Sequence, residues 1–256
     1  MGTLPRTNIL GVGISAITIE QAVAQILTWI EQRQQRYVSV CTVHTIMECR
    51  RSQPMCQAVN QAGLATPDGM PLVWLSRHQG HPHVTRVYGP DLMLALCKHS
   101  IGQGYRHYFY GGADDVLELL VTTLQYQFPG LQIAGSYSPP FRPLTPTEDT
   151  QMVQAINQTH PDIIWVGLGT PKQDLWMADH RAQLTAPVLI GVGAAFNFHS
   201  GRIPQAPHWM QQYGLEWLFR LWQEPRRLWY RYLVYNPLFV LLILAQTVGI
   251  KKYPLK

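Results

Sequence analysis

The stretch Ile163-Ile-Trp-Val-Gly-Leu-Gly-Thr-Pro-Lys-Gln173 decides the fold class. The apolar run 163–168 predicts a buried β-strand that ends in a Gly-x-Gly bend, and Pro171 suits the first turn of a helix. A strand that turns at once into a helix is the repeating unit of a parallel sheet, because parallel strands need a crossover connection. This stretch therefore predicts an α/β fold.

The same alternation extends in both directions along the chain. Further β-rich apolar runs predict strands at residues 9–14, 37–43, 107–110, 132–137 and 188–192. Helical-period segments predict helices from Thr18 and at about residues 71–77, 90–100, 114–127, 147–159 and 171–184. The sequence thus predicts a Rossmann-like, mostly parallel sheet with helices on both faces. Ligands of such a fold bind at the carboxyl ends of the strands.

Basic residues are concentrated near the end of the chain. The 256 residues carry a formal net charge of +5, and residues 214–256 hold 7 Lys/Arg against 2 Asp/Glu, so this segment accounts for the whole excess. Strand patterns also stop after Pro204. We therefore predict an α/β core over residues 1–204 and a basic, Trp-rich helical appendage over residues 205–256. A neutral body excludes the evenly basic surface of a nucleic-acid binder.

The appendage has the composition of a segment that contacts a membrane. Its tryptophans and arginines are interleaved: Trp209, Trp217, Arg220, Trp222, Arg226, Arg227, Trp229 and Arg231. Cations are attracted to anionic lipid, and Trp prefers the headgroup region. Residues 233–250 carry no charge, but Pro237, Gln246 and Gly249 interrupt the run, so an anchor in the membrane plane is favoured over a spanning helix. An exposed apolar tail would also let copies of the chain associate in solution.

Other patterns exclude a secreted or metal-binding protein. The first twenty residues lack a basic region followed by a long apolar run, which predicts a cytoplasmic protein, peripheral on the cytoplasmic face of the membrane. The 4 cysteines form no Cys-x-x-Cys pair, and no Asp-x-Asp or His-x-x-x-His occurs. We therefore expect no bound metal, and arginines in its place wherever phosphate is handled.

Three polar residues near predicted element ends are candidates for chemistry. Asp68, in Pro67-Asp-Gly-Met-Pro71, is held on a turn just ahead of a helix. It could reach a ligand hydroxyl or merely cap that helix, and the segment leaves both readings open. Arg86 could face an anionic ligand. His44 closes a predicted strand, where a binding role competes with that of a core or cap residue.

Glycine-rich bends offer sites for phosphate. Gly111 and Gly112 open a helix after a strand, so their backbone N–H groups could cradle a phosphate. Gly169 precedes a helix whose first turn holds Lys172 and Gln173, which suits a phosphate or a polar base. The stretch Gly11-Val-Gly-Ile-Ser-Ala16 matches the dinucleotide pattern, but its predicted helix is capped beyond the motif, at Thr18, which disfavours a dinucleotide site.

Together these segments resemble the WecG/TagA/CpsF family of bacterial glycosyltransferases over about residues 8–232. The resemblance is carried by Thr42-Val-His44, Pro67-Asp-Gly-Met-Pro-Leu-Val-Trp74, Arg86-Val-Tyr-Gly-Pro-Asp91, Gly167-Leu-Gly-Thr-Pro-Lys-Gln173, Gly191-Val-Gly-Ala-Ala-Phe196, and Gly214-Leu-Glu-Trp-Leu-Phe-Arg-Leu221 with Glu224-Pro-Arg-Arg227. Two segments depart from the family pattern. Thr42-Val43-His44 stands where the family commonly has Thr-Pro-Asn, and Phe196-Asn197-Phe198 stands where it commonly has Phe-Asp-Phe.

The resemblance implies an inverting, metal-independent enzyme without a cofactor, acting in cell-surface polysaccharide biosynthesis. It would move N-acetylmannosamine, its uronic acid or a hexose such as glucose from a UDP-sugar to a polyprenyl-diphosphate-linked saccharide. Asp68 would be the general base, with Thr42 beside it, and Arg86 would stabilise the departing UDP. Residues implied to bind substrate or nucleotide are His44, Gly111, Gly112, Gly169, Lys172 and Gln173. Those implied to contact a diphosphate or the membrane are Arg220, Arg226, Arg227 and Arg231.

Two expectations follow from this reading. An ionised aspartate accepts a proton readily only where no strong cation pairs with it, so Asp68 and Arg86 should not form a tight bidentate pair. The departures at His44 and Asn197 leave a rival function open: a nucleotide-sugar-binding module that sits at the membrane without turnover.

Overall fold

A computed structural model of the chain describes residues 4–255. These residues form two compact units. The first unit comprises residues 4–19, 40–88 and 205–255, and the second comprises residues 20–39 and 89–204. The predicted division into a core and an appendage stays a prediction. Residues 1–3 of the predicted core and Lys256 of the predicted appendage lie outside the described residues. Residues 205–255 belong to the same unit as residues 4–19 and 40–88.

The strands form one large sheet and one small one. They are β1 (Arg6–Ile9), β2 (Val12–Ser15), β3 (Arg36–Cys41), β4 (Leu64–Pro67), β5 (Arg106–Tyr110), β6 (Gln132–Tyr137), β7 (Ile163–Val166) and β8 (Val188–Gly191). The large sheet has the order β4-β3-β8-β7-β5-β6, and its pairs β3·β8, β8·β7, β7·β5 and β5·β6 are parallel. The predicted α/β class with a parallel sheet is confirmed.

Helices connect and follow the strands. They are α1 (Ile19–Glu31), α2 (Val43–Arg51), α3 (Gln53–Gln61), α4 (Met70–His78), α5 (Gly89–Ser100), α6 (Asp114–Gln127), α7 (Pro146–Gln158), α8 (Lys172–His180), α9 (Ala195–His199), α10 (His208–Gln212), α11 (Glu216–Gln223), α12 (Pro225–Trp229) and α13 (Tyr235–Thr247). A π-helical stretch, Tyr230–Val234, joins α12 to α13.

The sequence predicted correctly the two central strands of the large sheet and the first helix. Every residue of β7 and β8, which pair in the middle of the large sheet, is buried. Strands covered on both faces are continuous apolar runs, and this is the pattern that predicted them. Helix α1 buries Val23, Ile26 and Ile30 on the apolar stripe that its sequence shows.

The predicted strand at residues 9–14 is wrong as a single strand. The chain there forms the antiparallel pair β1·β2, which is separate from the large sheet. Gly11 lies at the turn between them with φ +87°, a conformation that glycine adopts without steric cost. The glycines of the dinucleotide-like stretch therefore lie in a hairpin, and no helix N-terminus follows them directly.

The segment from Val43 to Pro67 also differs from the prediction. The third strand ends at Cys41, and Thr42 is the N-cap of α2, so His44 lies in the first turn of a helix and not at the end of a strand. Helices α2 and α3 and strand β4 were not predicted. The strand β4 has only four residues, the last of them Pro67, and proline in such a run argues against a strand.

The C-terminal segment is helical but is interrupted after α10 and again after α11. Helix α11 ends at Gln223, and Glu224 has φ −131° and ψ 59° before α12 begins. Arg220 and Arg227 therefore belong to different helices, and their seven-residue spacing does not place them on one helical face. The stretch Pro225–Thr247 is long and apolar enough, by length and composition, to cross a membrane.

Candidate active site

Asp68 directly follows strand β4. Its backbone N–H donates to the carbonyl of Cys41 at 2.9 Å, which continues the pairing of the two strand ends. Helix α4 is N-capped by Gly69, and no side chain makes the cap hydrogen bond. The competing role of Asp68 as the helix cap is therefore not supported. The carboxylate lies instead against Arg86.

Arg86 pairs with Asp68 through two nitrogens. Its Nη2 donates to Oδ1 of Asp68 at 2.9 Å, and its Nε lies 3.2 Å from the same oxygen. The Nε also donates to the backbone carbonyl of Asp68. A strong cation therefore pairs with the predicted base, whereas we expected Asp68 to have no such partner. Both side-chain contacts end on one carboxylate oxygen, so the pair does not have the two-oxygen bidentate form.

A second carboxylate shares the same guanidinium. Nη2 of Arg86 donates to Oε2 of Glu216 at 2.6 Å, and the hydroxyl of Tyr88 lies 3.4 Å from Oε1 of Glu216. The Arg86 guanidinium also stacks on the Tyr88 ring at 3.9 Å from its centroid. Glu216 begins helix α11 and is separated from Arg86 by 130 positions in the chain. The C-terminal segment thus supplies one wall of this ion-pair cluster.

The cluster shifts the titration of its members. Burial raises the pKa of Asp68 from 3.8 to about 6, and Glu216 acts in the same direction, while Arg86 and then Arg220 lower it. The pKa of Arg86 is raised, because the two carboxylates outweigh the opposing effect of burial. Burial, followed by the charges of Glu216 and Asp68, raises the pKa of Tyr88. An aspartate with a pKa near 6 is ionised at neutral pH and is more basic than an exposed one.

Thr42 lies beside the turn that carries Asp68. A Cβ built on Gly69 would come within 3.7 Å of the Thr42 Cα, so the two backbones are in contact. The N–H of Thr42 donates to Oγ1 of Thr45 at 3.1 Å, which fixes the start of α2. From the C-terminal segment, Nη2 of Arg231 approaches Oγ1 of Thr42 at 3.5 Å. The structure therefore brings Thr42, Asp68 and Arg86 together in the first unit.

The four arginines of the C-terminal segment have different environments. Arg220 acts electrostatically on Asp68, and Arg231 reaches Thr42. Arg226 and Arg227 are exposed, and Arg227 pairs with Glu224 at 2.5 Å. Only two of the four residues that were assigned together to diphosphate or membrane therefore lie at the cluster.

His44 faces the same C-terminal segment. Its ring stacks on Tyr235 with the centroids 5.8 Å apart, and its Nδ1 is 3.9 Å from Oε1 of Glu48. The Tyr235 hydroxyl donates to this Glu48 oxygen at 2.9 Å and accepts from Arg51. His44 therefore belongs to the contact between α2 and α13, and its role in substrate binding stays a prediction.

The predicted nucleotide residues lie in the second unit. Gly111 and Gly112 follow β5 with φ of 105° and 82°, and a Cβ on Gly111 would come within 2.9 Å of the carbonyl carbon of Gly167. Any side chain at position 111 would therefore clash with the backbone just after strand β7. At Gly169, φ is 74° and a Cβ would meet nothing within 4 Å, so this bend is open.

The bend after β7 is held by the first turn of α8. Oε1 of Gln173 accepts from the N–H of Gly169 at 3.1 Å, and Gln173 is buried, whereas Lys172 is exposed. Asp174 was not singled out from the sequence. It is fully buried and accepts from Ser39 at 2.7 Å and from Thr170 at 2.9 Å. Burial raises the pKa of Asp174 to about 6, against the effect of these two hydrogen bonds.

Two carboxylates are thus additions to the predicted site. Glu216 lies within the motif Gly214-Leu-Glu-Trp-Leu-Phe-Arg-Leu221 and was assigned no role, although it is one of only 2 acidic residues among residues 214–256. Asp174 directly follows the Lys172-Gln173 pair, which is the signal that could have identified it. Across the described range 4–255, no cluster of three or more His, Cys, Asp or Glu side chains suits a metal ion.

The chain is similar in sequence to one known family of proteins. The family model described as the glycosyl transferase WecG/TagA/CpsF family matches residues 7–253. Three similar proteins bear the name N-acetylglucosaminyldiphosphoundecaprenol N-acetyl-beta-D-mannosaminyltransferase. One, from Bacillus spizizenii, is 28% identical over 206 residues, covering 80% of this chain and 78% of that protein. One from Staphylococcus aureus is 26% identical over 225 residues (87% of each chain), and one from Bacillus subtilis is 27% identical over 225 residues (88% and 85%).

Proposed function

The chain belongs to the WecG/TagA/CpsF family of glycosyl transferases, and on this basis we propose that it transfers a sugar from a UDP-sugar to a polyprenyl-diphosphate-linked saccharide with inversion. The similar proteins are named for the transfer of N-acetylmannosamine to N-acetylglucosaminyl-diphosphoundecaprenol. A donor of the N-acetylmannosamine type is therefore the first to test, before its uronic acid and the hexoses. The product would be an intermediate of a cell-wall polymer.

In this reaction Asp68 accepts the proton of the acceptor hydroxyl. The hydroxyl oxygen forms a bond to the anomeric carbon of the donor, and the bond from that carbon to the oxygen of UDP breaks. The electron pair of the broken bond leaves with UDP. Attack from the face opposite the leaving group inverts the anomeric configuration.

The observation that carries the proposal is the buried carboxylate of Asp68 with a pKa of about 6. General bases work best when their pKa lies near the operating pH, and a proton taken by a buried carboxylate is held away from solvent. Asp68 does not cap helix α4, so local structure gives no other account of its position. Thr42, next to the Asp68 turn, would hydrogen bond to a sugar hydroxyl.

Arginine side chains would balance the charge of the departing diphosphate without a metal ion. Arg86 is already shared by two carboxylates, so the larger part of this task would fall to Arg220 and Arg231. Guanidinium groups near a buried site stabilise developing negative charge strongly, because little water screens them there. Gly111, Gly112, Gly169, Lys172 and Gln173, with His44, would bind the nucleotide or the sugar.

The C-terminal segment would hold the enzyme at the cytoplasmic face of the membrane. Trp209, Trp222 and Trp229 are exposed, whereas Trp217 packs against Tyr232 at 5.9 Å between ring centroids. Helix α13 presents Leu238, Leu241 and Leu244 and other apolar side chains to solvent. Three exposed tryptophans and the exposed cations of Arg226 and Arg227 in one segment suit an anionic lipid surface.

This helix would lie in the membrane plane. Its first residue, Tyr235, is hydrogen bonded to Glu48, and Gln246 near its end donates to the carbonyl of Asn8 at 3.1 Å and accepts from the N–H of Leu10 at 3.0 Å. A helix that is bound to the protein at both ends along one side would have to break these contacts in order to span a bilayer.

A donor screen tests the proposed activity. The full chain, in vesicles that contain N-acetylglucosaminyl-diphospho-polyprenol, would be incubated in turn with UDP-N-acetylmannosamine, its uronic acid derivative and UDP-glucose, with and without EDTA. We expect one donor to give a disaccharide lipid and UDP at equal rates, unaffected by EDTA. Absence of product with all three donors would contradict the proposed substrates, and loss of product with EDTA would contradict the metal-free mechanism.

A further inference from the structure

The cluster around Arg86 contains a second carboxylate in addition to the proposed base, Asp68. Asp68 and Arg86 would by themselves make an ordinary ion pair, and an opposite charge at hydrogen-bond distance lowers the pKa of an aspartate by one to three units. Such an aspartate would be a poor base at neutral pH. Glu216 is the additional carboxylate, and its Oε2 lies 2.6 Å from the same Arg86 nitrogen that contacts Asp68.

We propose that Glu216 is a positioning residue for the reaction: by binding Nη2 of Arg86, it offsets the charge of that guanidinium and leaves Asp68 able to accept a proton. The inference rests on the proposed role of Asp68 as the base. It assigns a task to a residue of the C-terminal segment that would contact neither the donor nor the acceptor.

Burial makes this offset effective. The side chains of Asp68, Arg86 and Glu216 are 13%, 17% and 15% exposed. Charges in such surroundings are screened far less than charges at the surface. The guanidinium is also fixed by stacking on Tyr88, so it cannot swing away from one carboxylate to favour the other without losing that contact.

The other charges that act on Asp68 have the opposite sign to Glu216. Arg86 and Arg220 both favour the ionised form of Asp68, and Asp68 interacts electrostatically with Arg231 and Tyr88. Tyr88 is neutral over the working pH range, because its pKa is raised. Glu216 is therefore the group among these whose negative charge opposes the three arginines.

A purely structural role for Glu216 makes a different prediction. If Glu216 only fastened helix α11 to Arg86, its replacement would lower the melting temperature and leave the titration of Asp68 where it is. If Glu216 offsets the charge of Arg86, replacement by a neutral side chain lowers the pH at which Asp68 ionises. A titration of Asp68 separates the two roles.

The experiment is a carbon-13 NMR titration of the full chain in detergent, with labelled aspartate. The Asp68 carboxyl signal is assigned by its absence in Asp68→Asn. In the wild type we expect a midpoint near pH 6, and in Glu216→Gln a midpoint about one pH unit lower, as for an aspartate that regains an unopposed cation. Glu216→Asp, which keeps the charge, should stay close to the wild type.

Controls keep the test decisive. Glu118→Gln removes an exposed carboxylate from α6 and should leave the midpoint unchanged. If Glu216→Gln does not fold, Glu216→Ser, which leaves room for water beside Arg86, serves the same comparison. An Asp68 midpoint that stays at the wild-type pH in a folded neutral variant would overturn the inference.

Kinetics give a second readout. We expect kcat of Glu216→Gln to fall at pH 8, by at most about tenfold, because a base with a pKa about one unit lower removes the proton less readily, while the Kd for UDP stays within twofold. Failure of the wild type to transfer any sugar would refute the proposed function. The NMR titration needs no turnover, so it would still decide the role of Glu216.

Discussion

Oδ1 of Asp68 lies 2.9 Å from Nη2 of Arg86, within a cluster that is largely shielded from solvent. This contact joins the turn after β4 to the residues just before α5. It also constrains the chemistry, because a cation lowers the pKa of the carboxylate that it contacts and so makes that carboxylate a weaker base. Burial and the carboxylate of Glu216 act in the opposite direction, and the pKa of Asp68 is raised in spite of Arg86.

The pH dependence of transfer should follow the ionisation of Asp68. The active form is the ionised one and its pKa is about 6, so kcat/KM should rise as the pH increases through about 6 and level off above 7. The measurement is a series of initial rates from pH 5 to 8 at low donor concentration. A flat profile over this range would show that no group with this pKa is required.

Removal of Arg86 should cost both stability and activity. In Arg86→Gln two buried carboxylates lose their shared cation, and breaking a buried ion pair from one side costs about 3 kcal/mol of unfolding free energy. The loss should grow from pH 5 to pH 8, because Asp68, whose pKa is about 6, is largely neutral at the lower pH and ionised at the higher one. Urea denaturation at the two pH values measures it.

The matched control for this variant is Arg142→Gln. Arg142 pairs with Glu148 at 2.6 Å on the surface, and exposed pairs of this kind contribute little. We expect its denaturation midpoint to stay near that of the wild type at both pH values. Equal effects of the two substitutions would contradict a special role for the buried cluster.

Asp174 should make stability depend on pH in a defined direction. Its pKa is about 6 in the folded state against 3.8 ordinarily, so the stability that the neutral form contributes is present below pH 4 and is lost as the pH rises through 6. The wild type should therefore be more stable relative to Asp174→Asn at pH 4.5 than at pH 8, by on the order of 2 kcal/mol. Paired urea titrations would show this, and a difference of the opposite sign would refute it.

Exposed tryptophans of the C-terminal segment should govern membrane binding. Trp222 is 89% exposed and Trp229 is 53% exposed. The double variant Trp222→Ala, Trp229→Ala should lose most of its binding to vesicles that contain phosphatidylglycerol, in a sedimentation assay at physiological salt. Tyr126→Ala, which alters an aromatic residue that is 88% exposed on α6, is the control. Undiminished binding of the double variant would place the lipid contact elsewhere.

Local sequence patterns predicted the strands and helices whose apolar periodicity is visible within a single stretch of sequence. The buried runs of β7 and β8 and the apolar stripe of α1 carry their own periodicity. Strand β4 could not be recognised in this way, because four residues that end in Pro67 have too little pattern. Helix α2 was missed because its sequence, Val-His-Thr-Ile-Met-Glu-Cys-Arg-Arg, is short and begins directly after the strand that it follows.

The residues of the site divide in the same way, into those that local motifs identified and those that only a long-range contact brings to the site. Asp68 and Arg86 were named from motifs near predicted element ends, and Thr42 was named from the family resemblance. The link from Arg86 to Glu216 crosses 130 positions, and no spacing rule of helices or strands reaches so far. Long-range ion pairs depend on tertiary packing, so the pattern of either segment gives no information about the contact.

The most direct test of the central claim is the rate of sugar transfer by Asp68→Asn. With the donor and lipid acceptor that the wild type uses, we expect kcat to fall at least about a hundredfold, the usual loss for a missing general base. UDP should still bind with a Kd within twofold of the wild-type value. Transfer by Asp68→Asn at the wild-type rate would show that Asp68 is not the base and would contradict the mechanism.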